Sequence, residues 1–462
     1  MQLKNLLKRN TDYYKAGGQK ELLTLAFPMI ISSACDGIMT FTDRLFLAKV
    51  GSEQMNASLA GGTAIQMLTF FFIGLIGYTT ALSAQYMGAG EKHNSSRTAF
   101  QAIIIALIAW PLILLIKPFL SPLFGWLNTP QSQINYQIEY VSILALGSTF
   151  PMLRHTFSCF FAGIGRTKIV MLATVSAMMT NVVLDYFLIL GKIEFLPSGI
   201  TGAAWATVSG SVVATVILSM VYLGRKNSRD FLVKKSFRFS SEIMKKLLYF
   251  GSPAGLELFL NFIAFFFMIS LFQSSGDVAS TATTIMFNWD MVSYIPLVGI
   301  EISVTSLVGR YMGANRPQVA HRAALSGIKT GIIYSSVILI LFLFAPKMLV
   351  SVFQPDVTSS VFNSAVPTAI SMVRIASMYV LIEAIMVALV GALRGAGDTH
   401  FTMFVSVLSH WLFVPILYVC LNVLGLGILA SWFILIVFFL LFSMILVMRF
   451  RSGKWKTIKV IN

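Results

Sequence analysis

Two carboxylates and an amide that belong in water sit inside apolar stretches of this chain, and their types and spacing are its best candidates for chemistry. Asn181 and Asp185 are four residues apart in an apolar run from about Ile169 to Leu190. At helical spacing, positions four apart project from one face about a turn from each other. An amide oxygen and a carboxylate therefore address one point. Asp36 and Asp43, seven apart in an earlier apolar run, share a face over two turns. A charge at the bilayer centre costs about 2.5–3.5 kcal/mol on insertion scales and about 10–17 in simulations, so such side chains mark a pathway or a site. The plainer alternatives are a helix-packing hydrogen bond for Asn181 and Asp185 and, for Asp43, a local pair with Arg44 or an interfacial place near the outer end. The reading adopted is a cation or proton site.

Other polar groups recur at membrane depth. Thr207 ends the small-residue stretch that begins at Gly199; a threonine in a helix often only bonds its own backbone, and small residues let helices approach closely. In the second half Glu257 and Asn261 are four apart, as are Tyr379 and Glu383, while Asp290 and Glu301 share one run. Each of the two pairs shares a helix face. Arg154, His155 and Arg374 are cations at depth that need acidic partners, and the sequence does not pair them. Phe287, Trp289, Asp290 and Tyr294, with Asp36 in the first half, are candidate contacts for an organic cation, offering aromatic faces and carboxylates. Met178, Met179, Met286 and Met291 are candidates for an adaptable pocket wall.

The elements that must position these groups follow from composition. The chain has 462 residues, 56% hydrophobic and 11% charged, with a mean hydropathy of +0.80. Ordinary soluble domains are about 25% charged, so this is an integral membrane protein. Apolar windows long enough to cross a bilayer recur at 22–48, 58–82, 99–119, 136–162, 168–191 and 200–223, then at 247–272, 281–308, 323–346, 368–393, 400–421 and 425–448. The prediction is an all-α integral membrane protein of twelve transmembrane helices in two pseudo-symmetric six-helix bundles. The segment from Met1 to Gln19 is polar and basic, and the run starting near Leu22 is too long for a signal-peptide core, so the first span is expected to stay as an anchor. Cys35, Cys159 and Cys420 lie in apolar runs without ligand spacing and read as core residues. His93, His155, His321, His400 and His410 are scattered, which leaves no metal or nucleophile constellation for an integral-membrane enzyme.

The net charge of +16 would suggest nucleic acid in a soluble protein. Here the basic residues alternate by side. Lys4, Lys8, Arg9, Lys15 and Lys20 precede the first span, Lys92 and Arg97 follow the second, and Arg166 and Lys168 the fourth. Arg310, Arg316 and Arg322 follow the eighth, Arg394 the tenth, and Arg449, Arg451, Lys454, Lys456 and Lys459 close the chain. The connection from Arg225 to Lys246 is the most basic, and the opposite side has only Lys49, Lys117, Lys192 and Lys347. The excess is thus a topology signal, with both termini expected in the cytoplasm and the protein in the inner membrane. Contact with anionic lipid fits it; nucleic acid does not.

The chain also repeats. Pro28 recurs as Pro253, and Tyr86-Met87-Gly88-Ala89 as Tyr311-Met312-Gly313-Ala314, both offset by 225 residues. Gly163-Ile164-Gly165-Arg166-Thr167 has a counterpart in Gly395-Ala396-Gly397-Asp398-Thr399. Two six-span halves that start on one side are parallel repeats, the architecture of transporters that rock one half against the other. The expected division is an N-terminal lobe over 1–224, a basic cytoplasmic linker over 225–246, and a C-terminal lobe over 247–462.

With these residues in place, the chain resembles the multidrug and toxic compound extrusion transporters over nearly its whole length. The resemblance rests on Asp43 in Thr42-Asp43-Arg44-Leu45-Phe46-Leu47, on Asn181-x-x-x-Asp185, and on Gly202-Ala203-Ala204-x-Ala206-Thr207. Leu393-Arg394-Gly395-Ala396-Gly397-Asp398-Thr399 is the most specific. It implies export of drug-like, often cationic, compounds in exchange for Na⁺ or H⁺, without a cofactor, by a monomer with small-molecule substrates and the lipid bilayer as its only partners. It also implies that the positions matching Asp43, Asn181, Asp185 and Thr207 form a cation or proton site, with Na⁺ suited to their oxygens. Other members place a second cluster at the positions of Asn261, Tyr379 and Glu383. This chain departs there, with its acid one turn earlier at Glu257, and its first-half loop reads Gly-Arg-Thr where the second reads Gly-Asp-Thr. The nearest rival is a flippase for a lipid-linked or amphiphilic substrate on a related scaffold; the motifs just quoted argue against it.

Overall fold

In the computed structural model the described residues are 13–119, 131–193, 196–354 and 360–461, all helical or irregular with no strand among them. Lys4, Lys8 and Arg9 of the basic leader lie outside the described residues. Among the described residues, ten helices are long and apolar enough to cross a membrane, and a bent pair gives an eleventh crossing. Gln131–Gly147 with Thr149–Gly163 completes the set of twelve.

The N-terminal bundle consists of span 1 (Gln19–Val50), span 2 (Ser52–Gly77 continued by Thr79–Gly88), span 3 (Lys92–Ile116), span 4 (the pair just given), span 5 (Thr167–Leu188) and span 6 (Gly199–Leu223). Two short helices, Arg225–Asp230 and Val233–Ser236, occupy the connection. The C-terminal bundle has span 7 (Ser241–Gln273), span 8 (Asp277–Gly313), span 9 (Pro317–Phe344), span 10 (Ser360–Ala376 with Val380–Ala396), span 11 (Thr399–Tyr418) and span 12 (Ile428–Arg451). Span 7 begins at Ser241, so the last six residues expected in the linker are helical. The two parts of span 10 meet at 49°, where the sequence predicts one window. Large apolar side chains such as Phe41, Leu115 and Phe344 are 68%, 68% and 77% exposed, which a bilayer accommodates and water would not.

The bundles meet through equivalent surfaces. Span 2 packs on span 7, and span 8 on span 1. The repeated Tyr-Met-Gly-Ala motif sits where the two halves touch: a Cβ on Gly88 would overlap the Arg310 carbonyl oxygen, and one on Gly313 the Gln85 carbonyl oxygen. Glycine is required there because two backbones come within contact of each other.

Among the described residues, the hydrogen bonds between the bundles lie in the half that carries the chain ends. Gln85 donates to Gly395 O at 2.9 Å, Ser306 to Ala162 O at 2.7 Å, Tyr311 to Glu21 at 2.7 Å and Ser326 to Gly17 O at 2.9 Å. Toward the other face the outermost links are apolar, a Phe70–Phe262 ring contact at 4.8 Å and the approach of Gly37 to Ile295. Among the described residues the polar ties between the bundles are thus confined to the terminal face. The tail after span 12 packs there too: Trp455 is fully buried and stacks on Phe450, and Val460 packs over Gly397.

Candidate functional site

Span 1 brings Asp43 to the interior of the N-terminal bundle, two turns short of its far end, and span 5 presents Asn181 and Asp185 to the same point. Asn181 Nδ2 donates to Asp43 Oδ1 at 3.1 Å. Thr207 Oγ1, from span 6, lies 3.0 Å from Asp43 Oδ2 and 3.0 Å from the Ala203 carbonyl oxygen. The Asp185 carboxyl lies close enough for its charge to act on Asp43, with no hydrogen bond between the two among the described residues. The four residues that the resemblance groups therefore lie at one locus. Arg44 is exposed and forms no ion pair with Asp43 among the described residues, so the local Asp–Arg alternative does not occur.

Burial makes this locus unusual. Asn181 and Asp185 are fully buried and Asp43 is 8% exposed. Both Asp185 oxygens and Asn181 Oδ1 have no hydrogen-bond partner among the described residues. Buried polar atoms are nearly always satisfied, and two facing carboxylates in low dielectric repel unless something positive lies between them. Three free oxygens and a second carboxylate suit a proton or a monovalent cation. Tyr140 of span 4 is buried within electrostatic reach of both carboxylates. The sequence reading missed it, since a single tyrosine in an apolar window carries no spacing signal.

In the C-terminal bundle the predicted foursome divides. Glu257 does not join Tyr379 and Glu383. It lies 3.0 Å from Arg394 Nη2, and Arg394 Nη1 bonds Glu301 at 2.6 Å, so one guanidinium serves two glutamates on spans 7 and 8. Charge pairing decides this, because a buried carboxylate goes to the nearest buried cation. Asn261 donates instead to Ser406 Oγ at 2.8 Å. The partner that Tyr379 finds is Asp290, which accepts its hydroxyl at 2.6 Å, with Glu383 electrostatically coupled to both. Asp290, Tyr379, Phe287 and His410 line a cavity of about 60 Å³.

The predicted substrate group is likewise scattered. Phe287 and Asp290 face that cavity, but Trp289 turns away to donate to Leu349 O at 3.0 Å. Tyr294 lies within electrostatic reach of Glu301, Glu383, Arg394 and Glu257. Asp36 accepts from Arg154 at 2.7 Å, a pair about half exposed on the acid side, which supplies the partner that the sequence leaves open for Arg154. His155 is next to Cys159 Sγ at 3.5 Å. Arg374, expected at depth with an acid, is exposed near the helix end at Ala376 and has no ion-pair partner among the described residues. Of the methionines, Met286 is buried, and Met179 and Met291 are 58% and 53% exposed. The three cysteines are free and buried.

The departure from the family loop also has a structural account. In the second half Asp398 accepts two hydrogen bonds from Arg449, at 2.7 and 3.0 Å, tying the loop after span 10 to the end of span 12. In the first half Arg166 stands at the place of Asp398, bonds Asn227 and lies 3.4 Å from Asp230, just past span 6. The same tie is made with the charges exchanged.

Comparison with known proteins bears on the fold and the family. The MatE family model matches twice, over residues 28–187 and 253–419, once in each bundle. A probable multidrug resistance protein NorM of Thermotoga maritima is 26% identical over 444 residues, covering 95% of this chain and 93% of that protein. Multidrug resistance protein PmpM of Pseudomonas aeruginosa is 27% identical over 400 residues, covering 85% and 81%. A structure described as the outward-facing conformation of a multidrug resistance MATE family transporter superposes with a TM-score of 0.85 at 21% identity, over 94% of this chain and 96% of that one. One described as MATE in the bent conformation gives 0.84 at 22%, over 95% and 97%. With the family model present in both halves and a twelve-helix fold around it, this chain belongs to the MATE family of multidrug transporters and is a transporter, not an enzyme.

Proposed function

We propose that this protein is a secondary active antiporter that exports drug-like, cationic or amphiphilic organic compounds in exchange for H⁺ or Na⁺. It works as a monomer in the inner membrane, with both ends and the basic linker in the cytoplasm, where the positive-inside rule puts them. The observation that carries this reading is the buried Asp43–Asp185 pair, with two Asp185 oxygens and Asn181 Oδ1 left without partners.

Two ionised carboxylates cannot share a low-dielectric hollow without a counter-charge. A proton between them, or Na⁺ held by Asp185, Asn181 and an Asp43 oxygen, relieves the repulsion and draws spans 1 and 5 together. Span 1 is the helix on which span 8 of the other bundle rests, so ion occupancy is felt at the seam. An ion shifts the equilibrium between outward- and inward-facing forms only by its differential affinity for them. One charge moving down about 100 mV supplies roughly 2.3 kcal/mol, enough for about a fifty-fold substrate gradient. With the terminal face cytoplasmic, the ties on that face match a form closed to the inside, from which substrate leaves outward and the ion enters.

The Asp290–Tyr379–Glu383 cluster supports a second ion or proton locus better than a substrate pocket. Its cavity of about 60 Å³ has room for about two waters, whereas drug-sized ligands occupy roughly 300 Å³ or more. The substrate's place is then the wedge between the bundles. Efflux of a fluorescent organic cation from proteoliposomes, with a Na⁺ gradient and a pH gradient imposed separately, tests the whole reading. Asp43→Asn and Asp185→Asn should each abolish gradient-driven efflux at normal protein levels, and undiminished efflux in both would overturn it.

A further inference from the structure

The terminal face of the N-terminal bundle has a groove apart from the Asp43–Asp185 locus. It measures about 390 Å³ and lies between the start of span 5 and the end of span 6. Arg166, Arg225, Lys226 and Asn227 line one side, Ile169 and Val221 the other.

Its charged wall is held in place. Arg166 bonds Asn227, lies 3.4 Å from Asp230 and rests over the Phe231 ring at 5.5 Å. Asn227 is 2% exposed and donates to Val221 O at 2.6 Å, which fixes the linker helix against span 6. Arg225 and Lys226 are exposed and have no ion pair among the described residues. The wall thus has three cations against one acid, Asp230, which is already engaged by Arg166. Below it the surface turns apolar: Leu172 on span 5 and Met220 and Leu223 on span 6 are 60%, 67% and 51% exposed. Cations above an apolar helix surface at a membrane boundary match one kind of molecule, with a phosphate at one end and acyl chains at the other.

We propose that this groove binds an anionic phospholipid of the leaflet on the terminal face. Its headgroup phosphate is held by Arg225 and Lys226, and its chains lie along Leu172 and Met220. A soluble organic anion fits the cations but leaves the apolar half unused. The bound lipid bridges spans 5 and 6, whose opposite ends carry Asn181, Asp185 and Thr207, yet the proposal does not depend on the ion chemistry there.

The test is native mass spectrometry and thermal melting of the purified transporter in phosphatidylcholine micelles, titrated with phosphatidylglycerol or with inorganic phosphate. The wild type should retain phosphatidylglycerol and melt higher with it, while inorganic phosphate has no effect. The double variant Arg225→Gln/Lys226→Gln should bind phosphatidylglycerol about tenfold more weakly or worse. Lys234→Gln/Lys235→Gln, which removes the same charge elsewhere in the linker, should bind as the wild type does. Ile169→Trp fills the apolar side without touching a charge and should also weaken binding, so a folding defect in the double variant does not blunt the test. Equal loss in both double variants would mean diffuse attraction and overturn the proposal. So would undiminished binding in Arg225→Gln/Lys226→Gln, or competition by inorganic phosphate.

Discussion

Thr207 has one hydroxyl proton and two acceptors at equal distance, Asp43 Oδ2 and the carbonyl of Ala203. A carboxylate is the stronger acceptor, so the proton points to Asp43 while Asp43 is charged and swings to the backbone once a proton neutralises it. Thr207→Val keeps the shape and removes this adjustable bond. A lost hydrogen bond to a charged group is worth about 1.5–3 kcal/mol. The variant should fold normally and shift the ion concentration or pH for half-maximal efflux by about tenfold or more, read from the ion dependence of proteoliposome efflux. At this scale much was legible, because Asn181 and Asp185 share a helix face by spacing alone. What spacing cannot supply is the partner across the bundle. Asp290 reads as a lone acid among aromatics until Tyr379 is seen beside it, and Glu257 reads as a site acid until Arg394 takes it.

The elements are joined by ties that the repeat makes twice with opposite charges, Arg166 to Asp230 and Asp398 to Arg449. Asp398 is 5% exposed, so breaking its pair leaves a charge with little water to take over. Asp398→Arg should destabilise the protein by about 3–5 kcal/mol, seen as a fall in melting temperature. Adding Arg449→Asp should restore most of it. A double variant no more stable than the single would show that the contribution is not the pair. The twelve apolar windows announce the helices because membrane thickness sets their length. They do not show the breaks at Tyr78, at Ser148 or between Ala376 and Val380. None of those points carries a proline, and an interruption satisfied by neighbouring helices leaves hydropathy unchanged.

At the scale of the whole molecule the two bundles close on the terminal face through glycines at matched positions. Gly313→Ala would push a methyl group into the Gln85 carbonyl oxygen. Overpacking of this kind costs about 1–3 kcal/mol, charged to the sealed form only, so the balance should move toward the form open on the terminal face. A cysteine placed at Ile295, in the wedge, reports it, since the three native cysteines are buried. Its labelling from the wedge side by a membrane-impermeant maleimide should fall about tenfold. Unchanged labelling would mean that the seam yields at no cost.

The sequence by itself determined that the chain lives in a membrane, how many times it crosses, that its halves repeat, and which polar side chains stand at depth. Those properties are local, fixed by hydropathy over some twenty residues, by helical period, or by self-similarity. Only the tertiary structure decided which acid meets which base, that Tyr140 looks onto the Asp43–Asp185 pair, that the repeated glycines form the seal, and that one loop's charge exchange is answered by its partner. Those are relations between residues tens to hundreds of positions apart, chosen by burial and charge once the helices have packed.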